Sequence, residues 1–176
     1  MIIPLVDAKL IDENITQEDL DAFESSVRRL TNNNFQNRYV RFEDISYIDG
    51  DRIKVNEKIE GLRVNDTVEI NYSKYNDGLY TVEEIKDKEI KLKGRLLHEF
   101  DFAGVMLTKV EYPPDIVSGI KKLINYDKKM AGKTGIKSES ISRMSITYYD
   151  VNGTDNTEGY PSSLLSFLKK YQKMRW

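Results

Sequence analysis

Gly132-Lys133-Thr134 is the part of this sequence closest to a catalytic motif, because a glycine–lysine–threonine run is the core of a phosphate-binding loop. The full motif needs a further glycine five residues before Gly132, and Asp127 stands there. The fragment also follows a predicted helix, whereas phosphates bind at the N-terminus of a helix, where the dipole favours an anion. The sequence therefore argues against nucleotide binding.

Two other groups of residues have types that could bind a metal or catalyse a reaction. In the acidic run Asp150–Asp155, Gly153 comes too early and Glu158 is misplaced for a calcium loop, and the same residue types form ordinary solvated turns. His98 is the only histidine, and no nucleophile–base motif surrounds it. The chain has no cysteine, which excludes thiol catalysis and cysteine–zinc sites. We therefore predict a protein that is not an enzyme and has no cofactor.

Tyrosines interleaved with basic residues could form a face on which single-stranded nucleic acid stacks. They are Tyr39, Tyr47, Tyr72, Tyr75 and Tyr80, with Arg41, Arg52 and Lys74. Tyrosine is equally a normal strand residue that packs with one side and is wetted on the other. The same region also carries the acids Glu43, Glu69, Glu83, Glu84 and Glu89. A small β-barrel that binds single-stranded nucleic acid remains the alternative function.

The composition describes a modest domain with a solvated surface. A chain of 176 residues predicts one domain, or one small domain with an insertion. The net charge of -2 does not indicate a nucleic-acid-binding protein. The first residues lack the basic region and apolar run of a signal peptide, and no apolar run approaches the roughly 20 residues of a membrane span. We expect no membrane association, and the lack of cysteine fits a reducing compartment.

Hydrophobic periodicity predicts an α+β protein in three parts. Residues 1–34 read as an extended arm (1–15) and a helix, which Thr16 caps and whose apolar face carries Leu20, Phe23, Val27 and Leu30. In residues 35–111 the period changes to two, and turn signals such as Asn76-Asp77-Gly78 separate short strands. These strands predict an inserted small antiparallel β-barrel or sandwich.

Residues 112–176 return to a helical pattern. One helix starts at Pro113-Pro114 and stops before Gly132 and Gly135, and a second runs from Pro161 to Lys173. Between them, residues 136–149 alternate weakly and predict a short strand or hairpin arm. The final turns crowd Lys169, Lys170, Lys173 and Arg175 beside Met174 and Trp176. Tryptophan and arginine are frequent anchors of protein interfaces, so this cluster is either an interaction site or a frayed tail.

Three pieces of the last third, in this order and spacing, resemble the head–tail connector (adaptor) proteins of tailed bacteriophages. They are YPPDIVSGIKKLINYD (112–127), GIKSESISRMSITYYD (135–150) and GYPSSLLSFLKKY (159–171). The resemblance implies a helical connector core, made of the N-terminal helix and the two C-terminal helices. It also implies a structural virion protein, assembled in the host cytoplasm, that forms a homo-oligomeric ring under the portal. The ring would contact the portal and a stopper or tail-completion protein, and DNA would pass through its lumen.

The resemblance also implies which residues make contacts. Those expected to meet a ring neighbour or the downstream ring are Ile136, Lys137, Ser138, Glu139, Ile141, Met144, Ile146 and Tyr148. Those expected to meet the portal or another partner are Lys173, Met174, Arg175 and Trp176. The β module at 35–111 departs from the compact helical pattern of the family, and we expect it to decorate or stabilise the periphery of the ring.

Overall fold

A computed structural model of the protein describes residues 1–94, 96–101, 103–131, 138–141, 144–147 and 156–174, and gives only the backbone of the two short stretches between 138 and 147. The chain divides into two compact units. Met1 and Asn34–Glu111 form the first, which we call the sheet unit, and Ile2–Asn33 and Tyr112–Trp176 form the second, which we call the helical unit. Several predicted features lie outside the described residues: the fragments 132–134 and 150–155, and the site residues Ile136, Lys137, Tyr148, Arg175 and Trp176.

The sheet unit contains one antiparallel sheet, which has seven strands in the described part of the chain. The strands are β1 (Gln36–Phe42), β2 (Ser46–Asp49), β3 (Arg52–Lys54), β4 (Thr67–Asn71), β5 (Gly78–Lys86), β6 (Glu89–Lys93) and β7 (Met106–Val110). Their order across the sheet is β1-β7-β4-β5-β6-β3-β2. Together with the helices of the other unit, this sheet confirms the predicted α+β class.

The sheet curls strongly, because its two edge strands are consecutive in the chain. Phe42 at the end of β1 and Ser46 at the start of β2 are four residue steps apart, which span at most about 14 Å. Seven strands laid flat would separate these edges by about 29 Å. Asp44 makes the corner with φ of 52°, and the Ile45 N–H donates to the Val105 carbonyl at 3.2 Å.

The inner face of the curled sheet holds the core of this unit. Alternate residues of the strands are fully buried there, as the two-residue period predicts. They include Ile53, Val68, Ile70, Val82, Ile90, Leu92 and Leu107. Burial of each such side chain contributes about 1.5–3 kcal/mol.

The helical unit contains α1 (Leu5–Lys9), α2 (Gln17–Thr31), α3 (Pro114–Met130) and a 3₁₀ helix (Ser166–Tyr171). Thr16 caps α2 as predicted, in a reciprocal capping box: its hydroxyl accepts from the Asp19 N–H, and the Asp19 carboxylate accepts from the Thr16 N–H at 2.9 Å. The prediction of an extended arm over 1–15 is wrong for Leu5–Lys9. Pro4 precedes this short helix in an extended conformation, and Ala8 within it is completely buried.

The predicted α-helix from Pro161 to Lys173 is also wrong in type and extent. Pro161 lies in a short strand, β11 (Tyr160–Pro161), which pairs with β10 (Asn156–Thr157). Turns follow, and hydrogen bonds between residues three apart, such as Leu168 N–H to Leu165 carbonyl at 3.0 Å, define the 3₁₀ helix. The sequence also predicts a buried stripe of Leu164, Leu165, Leu168 and Tyr171; Leu165 and Leu168 are buried, and Leu164 and Tyr171 are only partly buried.

Two further strands, β8 (Ser138–Ile141) and β9 (Met144–Thr147), lie within the stretch predicted as a strand or hairpin arm. They form an antiparallel two-stranded sheet of their own. Across the described residues, no helix is long and apolar enough to cross a membrane.

Candidate interaction site

The β8–β9 pair is the first candidate interaction site, and its register divides it into two chemically different faces. Residues directly opposite one another share a face, as do alternate residues of one strand. Glu139 stands opposite Ile146, and Ile141 opposite Met144, so these four positions belong to one face. The other face consists of hydroxyl-bearing positions: Ser138, Ser140, Ser145 and Thr147. The first face, which we call the apolar face, has three apolar positions and Glu139, whereas all four positions of the second face carry a hydroxyl group.

Among the described residues, β8 and β9 pair with no other strand. A two-stranded sheet is at best marginally stable in water. Its outer edges present backbone N–H and C=O groups to which another strand can be added. The predicted contact residues Ser138, Glu139, Ile141, Met144 and Ile146 all lie on this pair.

The last described residues form the second candidate site, and their main chain is attached to the C-terminal end of α2. The Lys173 N–H donates to the Thr31 carbonyl at 2.8 Å, and the Asn32 amide donates to the Met174 carbonyl at 3.2 Å. The Gln172 amide reaches the Leu30 carbonyl at 3.3 Å. Carbonyls at the end of a helix lack partners within the helix, and this segment supplies them. Up to Met174 the chain is therefore not a frayed tail, although Lys173 and Met174 expose their side chains.

A polar cluster and a close contact attach the preceding 3₁₀ helix to α3. The Tyr171 hydroxyl donates to one oxygen of Asp115 at 2.6 Å, and the Lys170 ammonium pairs with the other oxygen. The Lys170 and Tyr171 contacts hold the pKa of Asp115 below its usual value. Phe167 covers Gly119 of α3 so closely that a side chain at position 119 would collide with its ring. Of the basic cluster, Lys170 is thus engaged within the helical unit.

A groove of about 380 Å³ between α2 and α3 is a third candidate that sequence reasoning missed. Its floor is apolar and includes Val27, Ile120, Leu123, Ile124, Leu165 and Leu168. Phe23 and Leu30, predicted as core residues, are only partly buried and line it. The 3.6-residue period shows that α2 has an apolar face, but it does not show what covers that face.

Carboxylates surround this apolar floor. Asp12, Asp19, Asp127 and Glu158 line the groove, and in the described part of the chain no basic residue does. Asp127 accepts a hydrogen bond from the Tyr160 hydroxyl at 2.6 Å. The residue is exposed as a whole, but burial of its carboxylate raises its pKa, and repulsion from Asp19 and Asp12 adds to the effect.

The remaining candidates do not assemble into a site. Tyr80 is 3% exposed and donates its hydroxyl to the Asn76 carbonyl at 2.8 Å, and Tyr47 packs against Phe100 with ring centroids 6.1 Å apart. Of the five tyrosines, only Tyr39, Tyr72 and Tyr75 are exposed. His98 lies 5.7 Å from the Tyr75 ring, and no metal-binding cluster of three His, Cys, Asp or Glu side chains occurs in the described residues.

No protein-family model matches the chain, and no curated protein matches its sequence. The candidate interaction surfaces of the helical unit are the β8–β9 pair, the anchored segment at 171–174 and the acidic groove.

Proposed function

We propose that this protein is a subunit of the head–tail connector ring of a tailed bacteriophage. In this role it is a non-catalytic virion protein that docks on the portal, joins capsid to tail and lets DNA pass. The observation that carries the proposal is the β8–β9 pair. It lies within one of the three sequence pieces that resemble the connector family, no other described strand pairs with its edges, and three of the four positions on one of its faces are apolar.

Strand addition explains how the β8–β9 pair forms a contact between subunits of a ring. An isolated two-stranded sheet gains stability when a neighbouring chain adds a strand or covers the apolar face. Residues 138–147 then contact the adjacent subunit or the downstream ring. Because every subunit carries the same pair and the same receiving surface, repetition of the contact generates a ring when the rotation between neighbours closes.

The anchored segment at 171–174 supports a second contact. Its backbone is fixed against α2, so little conformational entropy is lost when a partner binds the exposed Lys173 and Met174. With Arg175 and Trp176 they form the basic and aromatic surface proposed to meet the portal or another partner. The helical core of the connector consists in this proposal of α2, α3 and the 3₁₀ helix.

The net charge of the chain is compatible with a DNA channel. A net charge of -2 suits a subunit whose ring must let DNA slide, because each phosphate neutralised by a basic side chain adds salt-dependent affinity.

The sheet unit decorates or stabilises the periphery of the ring. Deletion of the sheet unit tests this role, and loss of ring assembly would show that the unit is instead part of the core.

A matched pair of variants tests the strand-pair contact. Ile146→Asp places a charge at a position of the apolar face, and Ser145→Asp places the same charge at a neighbouring position of the hydroxyl face. Both proteins are mixed with cognate portal rings and examined by negative-stain microscopy. We expect Ile146→Asp to prevent ring assembly and Ser145→Asp to permit it. Equal assembly by both variants would refute the role of this face.

A further inference from the structure

The loop between β4 and β5, residues 72–77, has a strained main chain. Tyr72 and Lys74 have φ angles of 64° and 65°, in the left-handed region that residues with a bulky side chain seldom adopt. Such conformations persist only where the surrounding structure imposes them, and they cluster at functional sites. A main chain of this kind indicates a loop that does more than connect two strands.

A network of hydrogen bonds holds the loop in this conformation. The Asp77 carboxylate accepts from the Ser73 N–H at 2.7 Å and from the Ser73 hydroxyl at 2.6 Å, and the same hydroxyl accepts from the Asn76 N–H at 3.0 Å. The Asn76 side chain makes two hydrogen bonds with the main chain of His98, and the Asn76 carbonyl accepts from the Tyr80 hydroxyl at 2.8 Å. Ser73 and Asn76 are both buried, so the loop is fixed to the body of the sheet unit at these two positions.

Other residues of the loop present their side chains to solvent. Tyr72 is 68% exposed and Tyr75 is 58% exposed, and Lys74 between them is also exposed. The Lys74 ammonium lies 4.9 Å from the centre of the Tyr75 ring, and the ring of the exposed His98 lies 5.7 Å from it. The five tyrosines named above do not share a face, but two of them share this loop. We call Tyr72, Lys74, Tyr75 and the adjoining His98 the tyrosine loop.

The composition and rigidity of the tyrosine loop favour a protein partner. Tyrosine is a frequent anchor of protein interfaces. Antibody recognition loops combine it with serine and asparagine, because its rigid ring offers a large contact area at little entropic cost. Since the main chain of the loop is already fixed, little further entropy is lost when a partner binds. Single-stranded nucleic acid fits less well, because its affinity comes from several phosphate contacts and residues 72–77 contain one basic residue.

The charge of the loop indicates the charge of its partner. Asp77 is the only acid in residues 72–77, and its carboxylate is bonded to Ser73 within the loop. Lys74 is exposed beside the Tyr75 ring and presents a positive charge to solvent. Opposite charges face one another across protein interfaces, so an acidic partner is favoured.

We propose that the tyrosine loop binds an acidic segment of a partner protein. Apolar side chains of the segment pack on Tyr72 and Tyr75, and a carboxylate of the segment pairs with Lys74. The sheet unit then has a binding role of its own. The connector proposal rests on the helical unit, so failure of the present proposal leaves it untouched.

An array of random synthetic peptides, probed with the fluorescently tagged full-length protein, tests this role. We expect the bound peptides to be enriched in aspartate and glutamate, and we expect this enrichment to weaken at high salt. Bound peptides without a charge bias, or bound peptides enriched in lysine and arginine, would overturn the proposal.

Two matched tyrosine variants assign the binding to the loop. Tyr75→Ala removes a ring of the tyrosine loop, and Tyr39→Ala removes a ring of β1 that is 99% exposed. Both rings lie outside the core, and far-UV circular dichroism confirms that each variant folds. For the acidic peptide that binds most tightly, we expect Tyr75→Ala to raise Kd at least about tenfold and Tyr39→Ala to leave it unchanged. Equal effects of the two substitutions would overturn the proposal.

A charge reversal and a nucleic-acid probe complete the experiment. Lys74→Glu keeps both rings of the loop, and we expect it to abolish the preference for acidic peptides. An unchanged preference in this variant would contradict the proposed pairing with a carboxylate. Oligothymidylate that binds more tightly than every acidic peptide, and that loses this binding in Tyr75→Ala, would identify the loop as a nucleic-acid site and overturn the proposal.

Discussion

Replacement of Gly119 by alanine tests how the 3₁₀ helix is seated on α3. Gly119 lies in the second turn of α3, and a Cβ atom there would come within 3.0 Å of ring carbons of Phe167. Separations this short are essentially absent from folded proteins, so the ring must move. Phe167 belongs to the 3₁₀ helix, and the displacement therefore acts on the element that positions residues 171–174.

Two opposing effects determine the size of the change in unfolding free energy. Alanine is better than glycine in a helix by about 1 kcal/mol. Overpacking of a well-packed contact costs about 1–3 kcal/mol, and a displaced Phe167 also loses part of its buried area. We expect the Gly119→Ala variant to be destabilised by about 1–2 kcal/mol. In a Phe167→Ala background the collision is gone, so the same substitution should stabilise by about 1 kcal/mol.

The assay is urea unfolding followed by far-UV circular dichroism. It is applied to the unmodified protein, to Gly119→Ala, to Phe167→Ala and to the variant with both substitutions, which together form a double-mutant cycle. The reversal of sign corresponds to a coupling free energy of about 2–3 kcal/mol between positions 119 and 167, which is within the range for residues in contact. Stabilisation by Gly119→Ala in the presence of Phe167 would refute the packing argument.

Three further predictions concern local hydrogen bonds. Asn76 is completely buried, and its side chain makes two hydrogen bonds, 2.7 and 2.8 Å long, with the main chain of His98. Asn76→Ala should cost about 1–3 kcal/mol, because each of the two hydrogen bonds lost has a net value of about 0.5–1.5 kcal/mol, and amide exchange at His98 should accelerate. Thr16→Ala removes the cap of α2 and should lower the unfolding free energy by about 1 kcal/mol in urea titrations. The folded-state pKa of Asp115 is lowered, so its contribution is complete above its unfolded value near 3.8 and is lost as the pH falls through the folded value. The stability difference between the unmodified protein and Asp115→Asn should therefore be largest at neutral pH and vanish in strong acid, and a constant difference would contradict this.

Features determined by neighbouring residues were predictable from the sequence. The alternation of Val68 and Ile70 with polar residues gives a strand because this signal acts within a few residues. The turn signal at Asn76-Asp77-Gly78 marks the connection between β4 and β5, but this connection is a loop over residues 72–77 and Gly78 already belongs to β5. The start of α2 is similarly local, since Thr16 and Asp19 satisfy each other's backbone groups.

Features that depend on distant parts of the chain were not predictable. The helix Leu5–Lys9 is too short to show a period, and burial of Ala8 stabilises it. Leu165 and Leu168 stand three residues apart, a spacing that suits both an α-helix and a 3₁₀ helix, and pairing of Pro161 in a strand excludes the longer α-helix.

The candidate sites also differ in whether neighbouring or distant residues determine them. The positions on the β8–β9 pair could be chosen from the sequence, because alternation and the resemblance to connector proteins fall on the same stretch. The acidic groove could not, because Asp12, Asp19 and Asp127 meet only when α2 and α3 pack together. The sequence did not distinguish Tyr75 from Tyr80, but in the structure Tyr75 is exposed and Tyr80 is buried.

The mass of the protein in solution, alone and mixed with cognate portal rings, tests the central proposal most directly. Light scattering combined with negative-stain microscopy measures both mass and shape. The connector proposal predicts a ring whose mass is a multiple of the 20.5 kDa subunit, either alone or on the portal. A 20.5 kDa monomer that ignores the portal and binds single-stranded DNA or RNA in a salt-dependent manner would contradict it. The exposed tyrosines of the sheet unit would then be the residues to mutate.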